Sequence, residues 1–408
     1  MRILKVTQTY APFLEHGGPP VKVRALAEGL ARRGHQITVV TADWGMSSRG
    51  DLAAVEGSPF GWRRVENGVA AIYLATWLRY RSVTWNPAIK RFCRERLRAF
   101  DVVHIYGLYD LLGPRVAAAC RGSGLPYVLE PIGMFVPIVR SLWLKRMYHQ
   151  FPGRRMILGA RAVIATAEQE ISELISAGIE RKRIVLRRNG VEAPPELPPR
   201  GTFRRRYGIS SNAKLLLFLG RLVSKKNPEV LLRAFASLPP LVGNADLQLV
   251  FAGPDEDGMA VRLQNLAGQL GVADRVRCVG PLFNEAKWAA FRDADVFVLP
   301  SQNENFGIAA GEAVAAGTPV IVTETCGIAP LLAGQAGLVV PCTEASLADA
   351  LARLLRDAAL HQRLAAGCAA VLPRLSWEEP VAEMESLYAS LLPAAAGLGT
   401  FAAPGAGR

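Results

Sequence analysis

Two glutamates on either side of a glycine form the most informative polar pattern in this 408-residue sequence. Glu304 precedes Gly307 and Glu312 follows it, with seven residues between the two carboxylates. Carboxylates accept hydrogen bonds from ribose or sugar hydroxyls, and backbone N–H groups at Phe306, Gly307 and Ile308 are expected to donate to phosphate. The segment therefore predicts a site for a phosphorylated sugar ligand. The alternative is a pair of surface glutamates.

A basic loop is the second pattern. Arg221 and Lys226 follow the apolar run 215–219 and come just before Pro228, which suits the first turn of a helix. Arginine offers a planar fork of donors and lysine a point charge, so both side chains can contact one diphosphate. The alternative is an ordinary basic loop.

Glycines follow three further apolar runs. Gly17 and Gly18 lie between the first run and a helix-like pattern. There a bare backbone can approach a ligand closely, and the N-terminus of the helix favours phosphate. The alternative for this pair is a tight turn. Gly253 and Gly280 follow two later runs and are predicted to lie at the rim of the same cleft.

Short apolar runs that alternate with helix-like periodicity must position these residues. Runs without polar alternation indicate parallel strands buried on both faces, and open sheets of such strands bind ligands at their carboxyl ends. The sequence predicts strands at 2–8, 36–42, 70–74, 102–106, 126–130, 162–165, 214–219, 247–252, 276–279, 296–299 and 320–322. It predicts helices at 21–33, 228–237, 261–270, 287–292, 347–360 and 377–392, and a helix start at 312–316.

The strand–helix rhythm occurs twice, on either side of a proline-rich linker at 191–200. Two successive runs of this kind predict an α/β protein with two Rossmann-like domains that face each other across a cleft. The first domain is predicted at 1–190 and the second at 201–375, followed by a separate helical segment at 376–392. The Ala-, Gly- and Pro-rich residues 393–408 are predicted to be disordered.

Composition excludes several classes of protein. Half the residues are hydrophobic and 20% are charged, so wholesale disorder is excluded. No apolar run is long enough for a transmembrane helix, and the first residues lack a signal-peptide pattern. The six cysteines never form a Cys-x-x-Cys pair, which argues against a disulfide framework or a zinc site and indicates a cytoplasmic location.

The net charge of +13 lies entirely in the first half of the chain. Residues 1–199 hold 29 Lys and Arg against 16 Asp and Glu, whereas residues 200–408 hold 19 of each. Two stretches, 77–98 and 140–155, place basic residues among tryptophans and tyrosines, which suits an anionic membrane surface. Nucleic acid is the rival partner, but no nucleic-acid-binding motif accompanies the charge. The remaining alternative is a solvated arginine-rich face.

In their order and spacing these patterns resemble the retaining nucleotide-sugar glycosyltransferases of the GT4 family, the bacterial group 1 type. The resemblance covers most of the second half and is thinner in the first half. It rests on Leu219-Gly-Arg221…Lys226, Ala252-Gly-Pro254, Val279-Gly280, Glu304-x7-Glu312, Ala316-Gly-Thr-Pro-Val-Ile321, Gly17-Gly18 and Asp101-Val-Val-His104. It implies the GT-B fold, whose last helix, here within 376–392, crosses back onto the first domain.

The resemblance also implies a role for each site residue. Arg221 and Lys226 are expected to hold the donor diphosphate and to offset the charge of the leaving group. Glu312 is expected to bind the ribose, and Glu304 the hydroxyls of the transferred sugar. Backbone groups at 306–308 are expected to bind sugar and phosphate. The glycines already named, Gly18 above all, let the backbone approach the donor.

GT-B enzymes usually work without a metal, and the sequence contains no Asp-x-Asp motif or histidine cluster. No metal is therefore expected, and no cofactor besides the nucleotide-sugar substrate. The resemblance implies front-side attack with retention, in which the donor phosphate accepts the proton of the acceptor. The expected reaction moves a hexose from a nucleoside-diphosphate donor to a glycan or lipid-linked acceptor. Cell-envelope or exopolysaccharide synthesis at the inner face of the plasma membrane is the expected setting.

One position departs from the family pattern. Ile132 stands where many relatives carry a histidine or arginine that faces the transferred sugar, and isoleucine cannot donate a hydrogen bond. Glu130 is a nearby side chain that could fill part of this gap. The alternative function is therefore a catalytically weakened scaffold that binds sugar nucleotides. A dinucleotide-dependent oxidoreductase is disfavoured because no Gly-x-Gly-x-x-Gly follows the first strand. His104 is interpreted as a core histidine.

Overall fold

The computed structural model describes residues 1–13, 18–44, 55–80, 83–135, 147–238, 242, 246–255 and 257–392. Within these residues, one large sheet forms in each half of the chain, and helices pack on both faces of each sheet. Gly17, the tail at 393–408 and residues 140–146 of the second basic stretch lie outside the described residues.

The first half contains a mixed sheet in the order β11-β10-β9-β8-β1-β2-β5-β4-β3 among its described strands. All neighbours are parallel except β3 with β4 and β4 with β5. The strands are β1 (Arg2–Val6), β2 (Gln36–Ala42), β3 (Val55–Ser58), β4 (Gly61–Glu66), β5 (Val69–Leu74), β6 (Leu78–Tyr80), β7 (Val83–Trp85), β8 (Val102–Tyr106), β9 (Tyr127–Glu130), β10 (Ala162–Ala165) and β11 (Ile184–Leu186). β6 and β7 pair with each other as a separate antiparallel hairpin.

The second half contains a sheet in the order β14-β13-β12-β15-β16-β17. Every neighbouring pair in this order is parallel. The strands are β12 (Lys214–Leu219), β13 (Leu247–Ala252), β14 (Val276–Cys278), β15 (Val296–Leu299), β16 (Val320–Thr323) and β17 (Gly337–Val340).

Helices connect the strands on both faces. They are α1 (Gly18–Arg32), α2 (Ala88–Arg96), α3 (Leu112–Ser123), α4 (Arg154–Gly159), α5 (Glu168–Ser176), α6 (Thr202–Tyr207), α7 (Pro228–Ala236), α8 (Met259–Gln269), α9 (Asn284–Asp293), α10 (Ile308–Ala315), α11 (Ala329–Leu332), α12 (Glu344–Arg356), α13 (Ala358–Val371) and α14 (Glu378–Leu391). No helix within the described residues is both long and apolar enough to cross a membrane.

Strand β12 shows why the sequence forms a doubly covered sheet. Successive side chains of a strand point to opposite faces. Leu215 and Leu217 enter the core under α9 and α10, whereas Leu216 and Phe218 enter the core under α7 and α12. A strand with both faces buried favours apolar side chains at successive positions, and residues 215–219 present this pattern.

Each strand that the sequence predicts is present, with ends that differ by at most two residues. The prediction of one long helix at 347–360 is wrong, because α12 ends and α13 begins at Asp357. The backbone of Asp357 is extended, and its Oδ1 accepts a hydrogen bond from the N–H of Leu360 at 2.8 Å. This N-cap stabilises a new helix start inside an apolar run that has helical periodicity.

The last helix, α14, packs on the first domain. Val381, Met384 and Tyr388 are buried in the core formed by α1 and the first sheet. Gly29 of α1 lies beneath Val381, and a Cβ at this glycine would lie 2.5 Å from Val381 Cγ2. The chain therefore crosses from the second domain back to the first.

Candidate active site

Three loops lie side by side at the carboxyl ends of β12, β13 and β14. The N–H of Gly220 donates to the carbonyl of Ala252 at 2.9 Å, and the N–H of Gly253 donates to the carbonyl of Gly280 at 2.8 Å. A Cβ at Gly253 would lie only 1.9 Å from the carbonyl oxygen of Gly220. Gly253 is thus required for close packing of the loop that carries the cationic residues. Gly280 has open space around its Cα and a φ of +75°.

The cationic loop contacts the first of the paired glutamates. Lys226 Nζ donates to Glu304 Oε2 at 2.5 Å, and its stem passes over Gly220. Lys225 lies within electrostatic range of this pair and of Arg221, which is exposed. Burial lowers the pKa of the Lys225 ammonium, and the charge of Glu304 opposes that shift. Sequence reasoning did not assign Lys225, the third cation of the loop.

Gly307 makes the turn between the two glutamates. Its φ is +93°, a left-handed conformation that favours glycine, and α10 begins directly after it. Phe306 is buried and anchors the turn in the core of the second domain. No acceptor among the described residues takes a hydrogen bond from the N–H groups of Phe306, Gly307 or Ile308. These donors are therefore available to a ligand.

The second glutamate has a partner that the sequence analysis missed. Lys287 Nζ on α9 donates to Glu312 Oε1 on α10 at 2.6 Å. Burial raises the pKa of the Glu312 carboxyl, and the charge of Lys287 opposes the shift. The lysine thereby favours the ionised carboxylate, which is the form that accepts hydrogen bonds from two hydroxyls.

Two helix N-termini meet across the cleft. α1 of the first domain begins at Gly18 and α10 of the second begins at Ile308. A Cβ at Gly18 would lie 3.0 Å from Ile308 Cδ1, so glycine permits this approach. The N-terminus of a helix carries partial positive charge and unpaired N–H donors. Their convergence favours an anionic ligand such as a phosphate at this point.

Asn305 connects the glutamate loop to the first domain. Its Nδ2 donates to Thr166 Oγ1 at 3.1 Å and to Glu170 Oε2 at 3.2 Å. The other oxygen of Glu170 accepts from the N–H of Gly133 at 2.8 Å. A Cβ at Gly133, whose φ is +65°, would lie 2.5 Å from the amide of Asn305. The segment after β9 therefore lies directly against the loop of Glu304.

Ile132, the departure from the family pattern, lies in this segment. Its φ of +57° is left-handed, and its half-buried side chain packs against the apolar core around α1. Such a conformation is unusual for a β-branched residue and costs about 1–3 kcal/mol. The strain is borne where the two domains touch, which is typical of functional loops.

Glu130 does not fill the gap left at Ile132. Its carboxylate is fully buried and accepts from Lys22 Nζ at 2.7 Å and Arg187 Nη2 at 2.6 Å. Burial alone would raise the pKa of this carboxyl, but Arg187 and Lys22 hold it at about 2. His104 is also fully buried, with Nδ1 2.6 Å from the hydroxyl of Tyr388. His104 is buried as the interpretation of a satisfied core histidine requires, but its Nε2 has no hydrogen-bond partner among the described residues.

The structure thus brings Arg221, Lys226, Glu304, Glu312, Gly18 and the 306–308 backbone to one cleft. Gly253 packs against Gly220 at the start of the cationic loop, and its N–H donates to the carbonyl of Gly280. Within the described part of the chain, no group of three or more His, Cys, Asp or Glu side chains is placed to hold a metal ion.

Comparison with known proteins decides the family. The model described as "Glycosyl transferases group 1" matches residues 199–367, and the "Glycosyl transferase 4-like domain" matches residues 17–190. A "D-inositol 3-phosphate glycosyltransferase" from Corynebacterium jeikeium (strain K411) is 30% identical over 425 residues, which cover 97% of this chain and 98% of that protein. The chain belongs to the group 1 glycosyltransferases of the GT4 type.

A second relative of this glycosyltransferase matches over a shorter region. The "D-inositol 3-phosphate glycosyltransferase" from Streptomyces bingchenggensis (strain BCW-1) is 35% identical over 251 residues, 59% of this chain and 55% of that protein. The chain thus spans about half the length of that relative.

The crystal structure of "Anabaena Alr3699/HepE in complex with UDP and glucose" has a TM-score of 0.71 at 18% identity, over 96% of this chain and 100% of that one.

These findings confirm the resemblance, the GT-B fold with its two Rossmann-like domains, and the enzyme class. The roles of the individual site residues stay predictions.

Proposed function

We propose that this glycosyltransferase moves a hexose from a nucleoside-diphosphate donor to a hydroxyl of a glycan or lipid-linked acceptor, with retention at the anomeric carbon. The observation that carries the proposal is the convergence on one cleft of the cationic loop, two helix N-termini and two carboxylates. Cations and N–H donors suit the diphosphate, and carboxylates suit the hydroxyls of the ribose and the sugar.

The cationic loop acts on the leaving group. When the bond between the anomeric carbon and the donor oxygen breaks, negative charge develops on the diphosphate. Arg221 and Lys226 stabilise that charge where metal-dependent enzymes use a divalent ion. Lys226 exchanges its contact with Glu304 for the phosphate as the donor binds, which frees the carboxylate of Glu304 for the sugar hydroxyls.

Glu312 binds the ribose hydroxyls, and Lys287 favours its ionised form. The acceptor hydroxyl attacks the anomeric carbon from the face that the diphosphate leaves. Its proton passes to an oxygen of the departing phosphate, so that no protein nucleophile is needed. The setting proposed is the cytoplasmic side of the cell membrane, in cell-envelope or exopolysaccharide synthesis.

A polyol phosphate is the second acceptor class, because a relative that matches over 98% of its length is named for D-inositol 3-phosphate. The same donor site would transfer the sugar to such an acceptor. The first domain, which carries the whole positive excess, is the proposed acceptor side for both classes.

The test is a donor screen followed by transfer assays. Thermal unfolding with UDP-, GDP- and ADP-hexoses should identify a donor, since a ligand at a hundred times its Kd stabilises by about 2.7 kcal/mol. Transfer to lipid-linked, oligosaccharide and inositol-phosphate acceptors follows with and without EDTA, and NMR reports the anomer. Arg221→Ala and Lys226→Ala should each weaken donor binding and turnover ten- to a hundredfold, because charged contacts contribute about 1.5–3 kcal/mol.

Three results would contradict parts of this proposal. Unchanged kinetics in both variants would remove the cationic loop from the site. Donor binding without release of nucleotide to any acceptor would favour the non-catalytic scaffold motivated by Ile132. Loss of activity in EDTA, restored by a divalent ion, would overturn the metal-independent mechanism.

A further inference from the structure

The basic and aromatic stretch 77–98 folds into two adjoining features on the first domain. β6 and β7 form a hairpin that, within the described residues, pairs with neither large sheet, and α2 follows it directly. Trp77 exposes 73% of its surface, Leu78 64% and Tyr80 67%. Adjacent large hydrophobic side chains with this exposure mark an interaction surface.

The hairpin lies at the edge of the first sheet that faces the cleft. Gln8, just after β1, donates from Nε2 to Thr84 Oγ1 at 2.6 Å. Asn86, just after β7, donates from Nδ2 to the carbonyl of Leu74, the last residue of β5, at 2.9 Å. Both contacts are made at the carboxyl ends of parallel strands. The hairpin therefore lies at the carboxyl-end edge of the first sheet, on the domain proposed to hold the acceptor.

Beside the hairpin, α2 and α3 enclose a shallow groove of about 500 Å³. Four cationic side chains line it: Lys90, Arg94, Arg98 and Arg115. Its other lining residues are small or apolar, and none is acidic. Among the described residues, no carboxylate oxygen lies within ion-pair distance of the Lys90, Arg98 or Arg115 side chains. Arg94 lies 3.6 Å from Glu95, so Lys90, Arg98 and Arg115 supply the positive charge, unpaired among the described residues, that this groove offers to an anionic ligand.

We propose that the aromatic hairpin and the α2–α3 groove together form a docking surface for a bilayer that contains anionic phospholipid. The groove binds headgroup phosphates, because arginine and lysine side chains near an anionic leaflet attract it. Trp77, Leu78 and Tyr80 enter the interfacial region, where tryptophan and tyrosine are favoured. The inference rests on the proposed lipid-linked acceptor and deepens it, since the docking surface belongs to the domain proposed to hold that acceptor.

The second domain provides an internal comparison. Between α12 and α13, Arg353, Arg356 and Arg363 line another groove, of about 440 Å³, which also includes Asp357. No large hydrophobic side chain within 344–371 is exposed. This groove has positive charge without aromatic anchors and is distant in sequence from the hairpin. Variants of this groove therefore serve as the matched control for the removal of positive charge alone.

The test is flotation of the full-length protein with vesicles of phosphatidylcholine, alone or mixed with phosphatidylglycerol, at low and physiological salt. We expect binding to the mixed vesicles only, and weaker binding at higher salt. Each cation removed should lower affinity about fivefold, and Arg94→Ala/Arg98→Ala/Arg115→Ala about a hundredfold. Trp77→Ser/Tyr80→Ser should also weaken binding to the mixed vesicles, and the size of this loss should depend less on salt than the loss in the arginine variants. Arg353→Ala/Arg356→Ala/Arg363→Ala should bind as the wild type does.

Absence of binding to mixed vesicles, or equal loss in the variants of the two grooves, would overturn the docking surface. Displacement from vesicles by millimolar glycerol phosphate would also overturn it, in favour of a soluble phosphate ligand. Far-UV circular dichroism and donor-induced thermal stabilisation of each variant report whether it is folded. Because the assay measures no sugar transfer, failure of docking and failure of the proposed activity are distinguishable.

Discussion

Lys287 favours the ionised form of the carboxylate proposed to bind ribose. Glu312 is largely buried on α10, where the ionised form is disfavoured, and Lys287 is the cation within hydrogen-bond distance of it. A carboxylate accepts hydrogen bonds at both of its oxygens, whereas a neutral carboxyl group has one of its oxygens protonated and offers fewer acceptors to hydroxyl donors. The lysine is therefore a positioning residue, which acts on the donor through Glu312.

We predict that Lys287→Met lowers nucleotide affinity about tenfold and that Glu312→Gln lowers it by a similar factor. A hydrogen bond to a charged group contributes about 1.5–3 kcal/mol. The double variant should be no weaker than either single variant, because both changes remove the same interaction. Calorimetric titration with the donor nucleotide measures all three.

Lys182 is the control for this pair. It contacts Glu180 at 2.8 Å on the surface, with 82% of its side chain exposed. Lys182→Met should leave nucleotide affinity unchanged, because exposed ion pairs contribute little. Additive losses from Lys287→Met and Glu312→Gln would show that the lysine contacts the donor by itself.

At the scale of residues, the sequence points to Glu304 and Glu312 but not to their partners. Lys287 is 25 residues from Glu312 on another helix, and no linear motif joins them. Their contact exists because α9 packs against α10. Glu130 shows the same limit, since only the fold reveals that Lys22 and Arg187 occupy its carboxylate.

At the scale of elements, the three glycine loops behind the cationic residues act as one support. Backbone hydrogen bonds from Gly220 to Ala252 and from Gly253 to Gly280 extend the pairing of β12, β13 and β14 beyond the strands. Any displacement of the middle loop moves the loop of Arg221 and Lys226. The backbone contact at Gly253 is the tightest point of this support.

We predict that Gly253→Ala destabilises the protein by about 3–5 kcal/mol, because overpacking adds to backbone strain. The methyl group would collide with the carbonyl of Gly220 at a φ of +145°. Gly280→Ala meets open space and should cost only about 1–2 kcal/mol for its left-handed φ. Urea unfolding measures both. Equal destabilisation by the two substitutions would show that the positive φ of the glycine, and not the contact with Gly220, sets the loss in free energy of unfolding.

Elements were foreseeable from the sequence where burial on both faces forces an apolar run, as in β12. They were not foreseeable where a local cap sets the end of a helix or where a strand lies at an exposed edge of the sheet. Asp357 divides one apolar pattern into α12 and α13 through a single hydrogen bond. β3 and β4 are exposed or half-buried along their length, so their sequences carry little of the pattern of a buried strand.

At the scale of the whole molecule, a buried polar network fastens the crossover helix to the first domain. Tyr388 of α14 contacts His104 of β8, whose Nε2 lies 3.5 Å from Glu130 Oε2. Lys5 of β1 donates to the hydroxyl of Tyr106 at 2.7 Å. The network joins α14, three strands and α1 beneath the cleft, so the charge inside it affects the stability of the first domain.

Lys5 makes this network sensitive to pH. It is fully buried, and burial lowers the pKa of its ammonium from 10.5 to about 7, with Glu130 opposing the shift and Arg187 adding to it. Between these pH values the unfolded chain binds a proton that the folded chain does not. Burying the charged ammonium of Lys5 destabilises the fold fully below pH 7 and no longer does so above pH 10.5. The free energy of unfolding therefore rises with pH between these values, by up to about 1.4 kcal/mol per pH unit.

We predict that Lys5→Met removes this slope between pH 7.5 and 9.5, a window that lies within the shift of Lys5 from about 7 to 10.5. The free energy of unfolding, measured in urea at several pH values, should therefore rise less steeply in the variant than in the wild type. Lys214→Met is the control, since its side chain is 45% exposed and water solvates its ammonium in both states. Parallel pH profiles for the wild type and Lys5→Met would show that Lys5 stays protonated in the fold, with the Glu130 carboxylate compensating its charge.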